Sequence, residues 1–327
     1  MISHILKENG VNFTAFIGGI AKDFKSNLHL GDGNEKIMVV EADEFDHSFL
    51  QLEPNVSIVT SIDADHLDIY GDKQHLIDSF NEFVNKTDEN GQVVFKSGLP
   101  IKTERNASSF GFDESCDYFA SDIRQKAGET MFKLHCPDGT ELNIELPLAG
   151  KHNIMNAMAA FIVCLLLQLK KADIAHALQS YQGVSRRFDI RLKNKKHCYI
   201  DDYAHHPEEI KSCLSAIRDS FPDKRLTVIF QPHLFTRTRD FMEEFARSLS
   251  MADELILLDI YPAREKPIEG ISSQALLEKI ELADKQICAK SELLDLINKK
   301  RPELLLTMGA GDIDRFVQPL ENMIKTW

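Results

Sequence analysis

The chain has 327 residues, enough for two domains with a core each, because single cores stop growing at about 250–300 residues. Its 38 basic and 51 acidic residues give a net charge of -13, which argues against a nucleic-acid or anionic-membrane surface, since both reward clustered Lys and Arg. Six scattered cysteines (Cys116, Cys136, Cys164, Cys198, Cys213, Cys288) with no C-x-x-C pair, a longest apolar run (Ala157 to Leu169) too short for a bilayer, and no apolar signal core at the N-terminus point to a cytoplasmic protein with reduced, buried thiols.

Ile2, Ile5 and Leu6 carry a helical spacing that stops at Gly10, so the chain opens inside a helix with no strand before it. Two apolar strands follow, Ile37-Met38-Val39-Val40 and Val56-Ser57-Ile58-Val59, each running into an acidic loop. The loops are Glu41-Ala42-Asp43-Glu44-Phe45-Asp46 and Asp63-Ala64-Asp65-His66-Leu67-Asp68. A helix is predicted from Lys73 to Asn85. From Gln92 to Pro147 short alternating runs, such as Thr130-Met131-Phe132-Lys133-Leu134, predict a small antiparallel sheet. Two helices come next, Lys151 to Lys170 and Ala172 to Tyr181, and the connector Gly183-Val184-Ser185 sets a domain boundary, giving domains 1–185 and 186–327. Beyond it, strands at 197–201, 225–230, 254–260, 285–288 and 303–308 alternate with helices at 207–219, 238–250, 272–282, 290–299 and 313–325. That alternation predicts a doubly wound, mostly parallel sheet.

Chemistry concentrates at the turns. Asp201-Asp202-Tyr203-Ala204-His205-His206-Pro207 packs carboxylates, a phenol and imidazoles onto a strand-to-helix turn, where open α/β sheets bind ligands. Three other strand ends carry Gln231-Pro232-His233 with Thr236-Arg237-Thr238-Arg239, then Tyr261-Pro262-Ala263-Arg264, then Gly309-Ala310-Gly311-Asp312. In a parallel sheet all four share one edge, whereas any one alone reads equally as a polar surface turn. For Arg239 a solvated helix start is the better reading. In the first half, Glu41 and the Asp65-His66 pair come together if their strands are neighbours, as sequential strands usually are. Such a site suits a hard cation such as magnesium; an acidic surface loop is the alternative, and His66 is the less usual ligand. His152 and Asn156 share a helix face at i, i+4, which suits gripping a planar polar ring, while Asn153 reads equally as a cap. Arg186-Arg187 reads as a phosphate contact or as a basic linker.

Taken together, several segments closely resemble the Mur ligase family, in order along the whole chain. They are Glu41-Ala42-Asp43-Glu44, Asp65-His66-Leu67-Asp68, Gly150-Lys151-His152-Asn153-Ile154-Met155-Asn156, Arg186-Arg187-Phe188-Asp189, Asp201 to Pro207, and Phe230-Gln231-Pro232-His233 with Thr236-Arg237-Thr238-Arg239. The resemblance implies an α/β fold. A P-loop-type central ATPase domain with a small antiparallel β insertion is followed by a Rossmann-like doubly wound C-terminal domain. It implies a cytoplasmic, ATP-dependent amide ligase of peptidoglycan synthesis with ATP and Mg2+ as cofactors. ATP phosphorylates the carboxylate of UDP-N-acetylmuramate, and the amine of L-alanine attacks the acyl phosphate. By position, Glu41 and His66 resemble magnesium ligands, and His152, Asn153 and Asn156 resemble the residues that hold adenine. Arg187 resembles the linker arginine on the γ-phosphate, and Asp202 the ATP-contacting aspartate, with Tyr203 facing ATP beside it. Tyr203, His205, His233 and Arg237 resemble the wall around the incoming amino acid, with His205 toward its amine.

Departures from the family pattern are equally specific. Family members carry a UDP-binding domain, a strand and a Gly-rich P-loop before the helix that here begins at Met1, so the resemblance reads this sequence as a truncated ligase body that binds ATP weakly by itself. Leu234 stands where some members have arginine, leaving Arg237 alone or with help from Arg264. His75 to Phe83 contains no lysine, which fits the alanine-adding branch. Two alternatives stay open: a non-catalytic nucleotide- or amino-acid-binding protein of the same fold, and the related ligase that recycles a muramoyl tripeptide. The short 46–56 connection counts against the latter.

Overall fold

Three strands follow the opening helix Ile2–Glu8: β1 (Thr14–Ala21), β2 (Ser26–His29) and β3 (Met38–Val40), in the order β2-β1-β3. The computed structural model describes residues 1–62, 70–126 and 128–327. Its contacts divide the chain into two units, Met1–Gln125 with Glu129–Gly183, and Lys126–Gly128 with Val184–Trp327.

In the first unit, β2 is antiparallel and β3 parallel to β1, with Thr14 opposite Met38 and Phe16 opposite Val40. A second sheet holds β4 (Val56–Val59), β5 (Gln92–Lys96), β6 (Ala107–Gly111), β7 (Tyr118–Lys126), β8 (Glu129–His135) and β9 (Glu141–Leu146), in that order. The expected pairing of the two acidic-loop strands therefore does not form. β3 lies at the edge of the three-stranded sheet on β1, and β4 lies at the edge of the six-stranded sheet on β5. The antiparallel sheet expected over 92–147 is also more limited than its alternation implied. β4 to β7 pair in parallel, and among the pairings described the hairpin β8/β9 is antiparallel, with Phe132 opposite Ile144.

The helix Lys151–Leu166 is apolar on most of its circumference and sinks into the core of this unit, with Ile154, Ala157, Met158 and Phe161 fully buried. Only its first turns keep an exposed polar face, at Lys151, His152 and Asn156. His4 ties the opening helix to this body: its Nδ1 lies 2.8 Å from Asp23 and its Nε2 2.8 Å from the Ala177 carbonyl.

The second unit is one sheet in the order β10-β11-β15-β12-β13-β14. Its strands are β10 (Asp189–Lys193), β11 (Cys198–Asp202), β12 (Leu226–Phe230), β13 (Glu254–Leu257), β14 (Lys285–Ile287) and β15 (Leu304–Met308). β10 is antiparallel to β11 and the rest pair in parallel. β12 and β15 are buried at every position, as parallel strands covered on both faces require. Because β15 inserts between β11 and β12, the connection from β11 passes over a neighbour, which is the topology that opens a crevice beyond the carboxyl ends of the strands. The single helix expected over 238–250 begins earlier and breaks at Phe241, giving Phe235–Asp240 and Met242–Leu249. All six cysteines are free and buried, and among the described residues no helix is long and apolar enough to cross a membrane.

Candidate active site at the carboxyl edge of the second sheet

Register fixes the site. Asp202, Met308, Phe230 and Leu257 form one row across β11, β15, β12 and β13, and the segments just beyond that row are the turns singled out from sequence. The first turn is held by its own helix: the Glu209 carboxylate accepts from the amides of His205 (2.9 Å) and His206 (3.0 Å) at the start of Pro207–Ser220. The turns after β12 and β13 are joined by a parallel bridge between His233 and Tyr261, and the Leu234 amide donates to the Tyr261 carbonyl at 2.9 Å. Leu234 pays no heed to its usual backbone preference, sitting at φ +72 where the chain leaves the edge for the helix Phe235–Asp240.

These turns bring a row of rings together. Tyr203 lies 5.3 Å from His205, His205 lies 6.0 Å from His233, and His233 stacks on Tyr261 at 5.7 Å. At one end the Arg186 guanidinium sits 5.0 Å over the Tyr203 ring, and in the middle Arg237 Nη1 approaches His233 Nδ1 at 3.5 Å. Burial, with Arg237 and His205 beside it, holds the His233 imidazole down at about 4, so it is neutral at neutral pH. His205 donates its Nδ1 proton to the Tyr203 carbonyl at 3.0 Å, which leaves Nε2 as the basic nitrogen. The edge thus combines a cation suited to a carboxylate, two imidazoles suited to moving a proton, and aromatic faces.

Beneath the rings lies a buried polar layer. Asp201 is fully buried; it accepts from Thr307 Oγ1 at 2.6 Å and Arg186 Nε at 3.1 Å, and Tyr199 Oη donates to Thr307 at 3.0 Å. Burial pushes the Asp201 carboxyl up, and Arg186 and Thr307 pull against it. Asp202 also turns inward. Its two oxygens accept from the Phe188 amide at 2.6 Å and the Ala204 amide at 2.8 Å, clasping segment 186–188 to the end of β11. Burial raises the Asp202 carboxyl to about 6 even against those two amides.

The Arg186-Arg187 pair, of which the resemblance singled out Arg187, is separated here. Arg187 is exposed, whereas Arg186 points into the layer and gives its Nη2 to the Gly309 carbonyl at 2.6 Å. Gly309 itself has no room for a side chain, since a Cβ would fall 2.7 Å from the Gln231 carbonyl oxygen and its φ is +140. Sequence reasoning gave Arg186 only the phosphate-contact or basic-linker reading that it shared with Arg187, and gave no role to the ring of Tyr261. The signal for Tyr261 was its place directly after an apolar strand.

In the first unit, Glu41 is exposed at the end of β3, where its Oε2 accepts from the Gly18 amide at 2.6 Å. A Cβ at Gly18 would lie 2.2 Å from that oxygen, so a larger residue there would push the Glu41 carboxylate aside. His66 lies outside the described residues, and among those described no three His, Cys, Asp or Glu side chains converge on a metal site. A single exposed carboxylate fits magnesium bound largely through phosphate oxygens and water. His152 and Asn156 share the exposed face at the start of Lys151–Leu166. Asn153 turns away from it, donating to the Ala149 carbonyl at 2.6 Å.

The family model for the Mur ligase middle domain matches residues 1–164, and that for the Mur ligase glutamate ligase domain matches residues 186–311. The chain belongs to the Mur ligase family. Within it, the chain is 46% identical over 324 residues to the UDP-N-acetylmuramate–L-alanine ligase of Christiangramia forsetii, covering 99% of this chain and 70% of that protein. It is similar in structure to the UDP-N-acetylmuramate–alanine ligase of Thermotoga maritima, with a TM-score of 0.83, 26% identity, and coverage of 99% of this chain and 72% of that one. A MurF ligase of Thermotoga maritima solved in complex with ADP shares the fold at a TM-score of 0.72 and 18% identity, over 99% of this chain and 76% of that one.

Proposed function

We propose that the chain is the catalytic body of a cytoplasmic ligase that uses ATP to join L-alanine to the muramoyl carboxylate of UDP-N-acetylmuramate. The observation that carries the substrate assignment is the 46% identity, across nearly the whole chain, to a protein named for that reaction. The ring-and-arginine edge of the second sheet supports it chemically. A carboxylate oxygen of the muramoyl group attacks the γ-phosphorus of ATP, ADP leaves, and an acyl phosphate forms. The amine then attacks the acyl carbon, and the tetrahedral intermediate collapses to the amide and phosphate.

Each named side chain has a task in this scheme. Arg237 binds the carboxylate of the amino acid through its planar fork. His205, whose Nδ1 faces the Tyr203 carbonyl, takes through Nε2 the proton that the amine must lose, and the neutral His233 beside it keeps that corner free of added positive charge. Tyr203 walls the pocket. Arg187, exposed on its segment, meets a phosphoryl group, and His152 and Asn156 flank the base of ATP while Asn153 fixes the turn before them. Asp202 acts on the nucleotide side through the segment it clasps. Glu41 and His66 are the proposed holders of Mg2+, which when bound offsets phosphoryl charge.

The test is phosphate release from ATP with UDP-N-acetylmuramate and a panel of amino acids, using this chain with its upstream reading frame included. The reading requires release that depends on both UDP-N-acetylmuramate and L-alanine. Release with a muramoyl tripeptide acceptor pair or another amino acid but not L-alanine overturns the substrate assignment, and no release with any amine overturns the ligase reading.

A further inference from the structure

We propose that Arg186 is a positioning residue, whose guanidinium, wedged between Asp201 and the Gly309 carbonyl, fixes the Tyr203 ring at the edge where the amino acid is received. This rests on the ligase reading above for the identity of the ligand, and on geometry alone for the positioning.

Four contacts converge on this one side chain and its backbone. Nε reaches Asp201 at 3.1 Å, Nη2 reaches the Gly309 carbonyl at 2.6 Å, and the guanidinium carbon Cζ lies 5.0 Å from the Tyr203 ring centre. The Arg186 carbonyl accepts from the Tyr203 amide at 2.6 Å. One residue therefore holds Tyr203 by its backbone and by its ring, and ties both to the turn after β15. A guanidinium can do this because its five donors lie in one plane, so the edge faces the carboxylate and the carbonyl while the face stays available to the ring. Lysine has one charged point and no face.

The backbone is arranged for the same end. Arg186 and Phe188 adopt φ of +64 and +46, a region that side chains other than glycine seldom enter, and Asp202 clasps the Phe188 amide while Asp189 Oδ2 accepts from the Arg186 amide at 3.3 Å. Straightening this segment would turn the guanidinium out toward solvent, as Arg187 already is. Tyr203 itself is 44% exposed, so its own packing is too slight to fix it, and its place depends on what lies under it.

The experiment places fluorotyrosine at position 203 of the full chain and compares Arg186→Lys and Arg186→Ala with the parent. Arg186→Lys keeps the charge opposite buried Asp201 and guards against simple unfolding. The proposal expects the fluorine signal to move toward that of the free amino acid in both variants, further in Arg186→Ala. It expects KM for L-alanine to rise about tenfold or more, with KM for ATP within about twofold of the parent. A fluorine signal unmoved in both variants overturns the proposal, as does an equal rise of KM for both substrates, which marks a merely structural arginine. Should the parent fail to turn over L-alanine, the functional reading fails, while the fluorine signal still decides the positioning.

Discussion

Replacing Asp202 by alanine should unfold the second unit more easily as well as impair its chemistry. The two Asp202 oxygens hold the amides of Phe188 and Ala204 at 2.6 and 2.8 Å, and both residues are under 5% exposed, so alanine leaves two buried donors without an acceptor. Each orphaned buried amide costs about 1–3 kcal/mol, for a total near 3–5 kcal/mol once some relaxation is allowed. That is a large share of the ~5–15 kcal/mol that holds a domain together. Asparagine keeps one acceptor but turns an amine toward the other amide, so its cost should fall about midway. The assay is urea unfolding followed by the fluorescence of Trp327, the chain's single tryptophan, which sits in the same unit with its ring 5.1 Å from His197 and its Nε1 3.0 Å from Asn298. The slope should stay constant while the midpoint falls in the order parent, Asp202→Asn, Asp202→Ala. An Asp202→Ala unfolding free energy within about 0.5 kcal/mol of the parent's refutes the clasp and leaves Asp202 as a nucleotide contact only.

His233, with a folded pKa of about 4 against 6.5, binds fewer protons folded than unfolded. Its contribution is therefore intact above pH 6.5 and is lost as pH falls toward 4, and His233→Gln should flatten the pH–stability curve in that window. Gly309→Ala should destabilise the second unit by about 2 kcal/mol or more, because the new Cβ meets the Gln231 carbonyl oxygen at 2.7 Å in a backbone conformation alanine avoids; a thermal midpoint equal to the parent contradicts this. In the first unit, His4→Leu removes the partner of Asp23, whose side chain is 8% exposed, and should cost about 3 kcal/mol, read by hydrogen exchange as lost protection of Ile2–Glu8 and Lys171–Gln179.

Much of the second unit was legible because its strands are short continuous apolar runs between helical patterns, a signature that a sheet buried on both faces imposes on its sequence. The ligand-bearing edge followed from that, since every chemically unusual turn came after a strand. Other features carried no such signature. β1 contains Gly18 and Gly19, and β2 is the polar run Ser26 to His29, so neither displays the β-branched alternation by which strands are recognised. The neighbour rule failed at β3 and β4, because β3 takes β1 as its parallel partner and β4 takes β5. Side-chain direction was the least visible. Arg186 and Arg187 are adjacent and chemically equal, and only the left-handed turn at residue 186 decides which of them faces inward. Asp202 read by resemblance as an ATP contact, and Asn153 as an adenine contact or a cap; the backbone bonds that turn each onto a nearby amide or carbonyl were not visible.

The account stands most directly on the fate of one oxygen. With the muramoyl carboxylate of UDP-N-acetylmuramate labelled with oxygen-18 and L-alanine and ATP supplied, attack of that carboxylate on the γ-phosphorus followed by amide formation transfers one labelled oxygen to the released phosphate. The account predicts phosphate carrying one oxygen-18 for each amide formed. Unlabelled phosphate formed alongside the amide would contradict it.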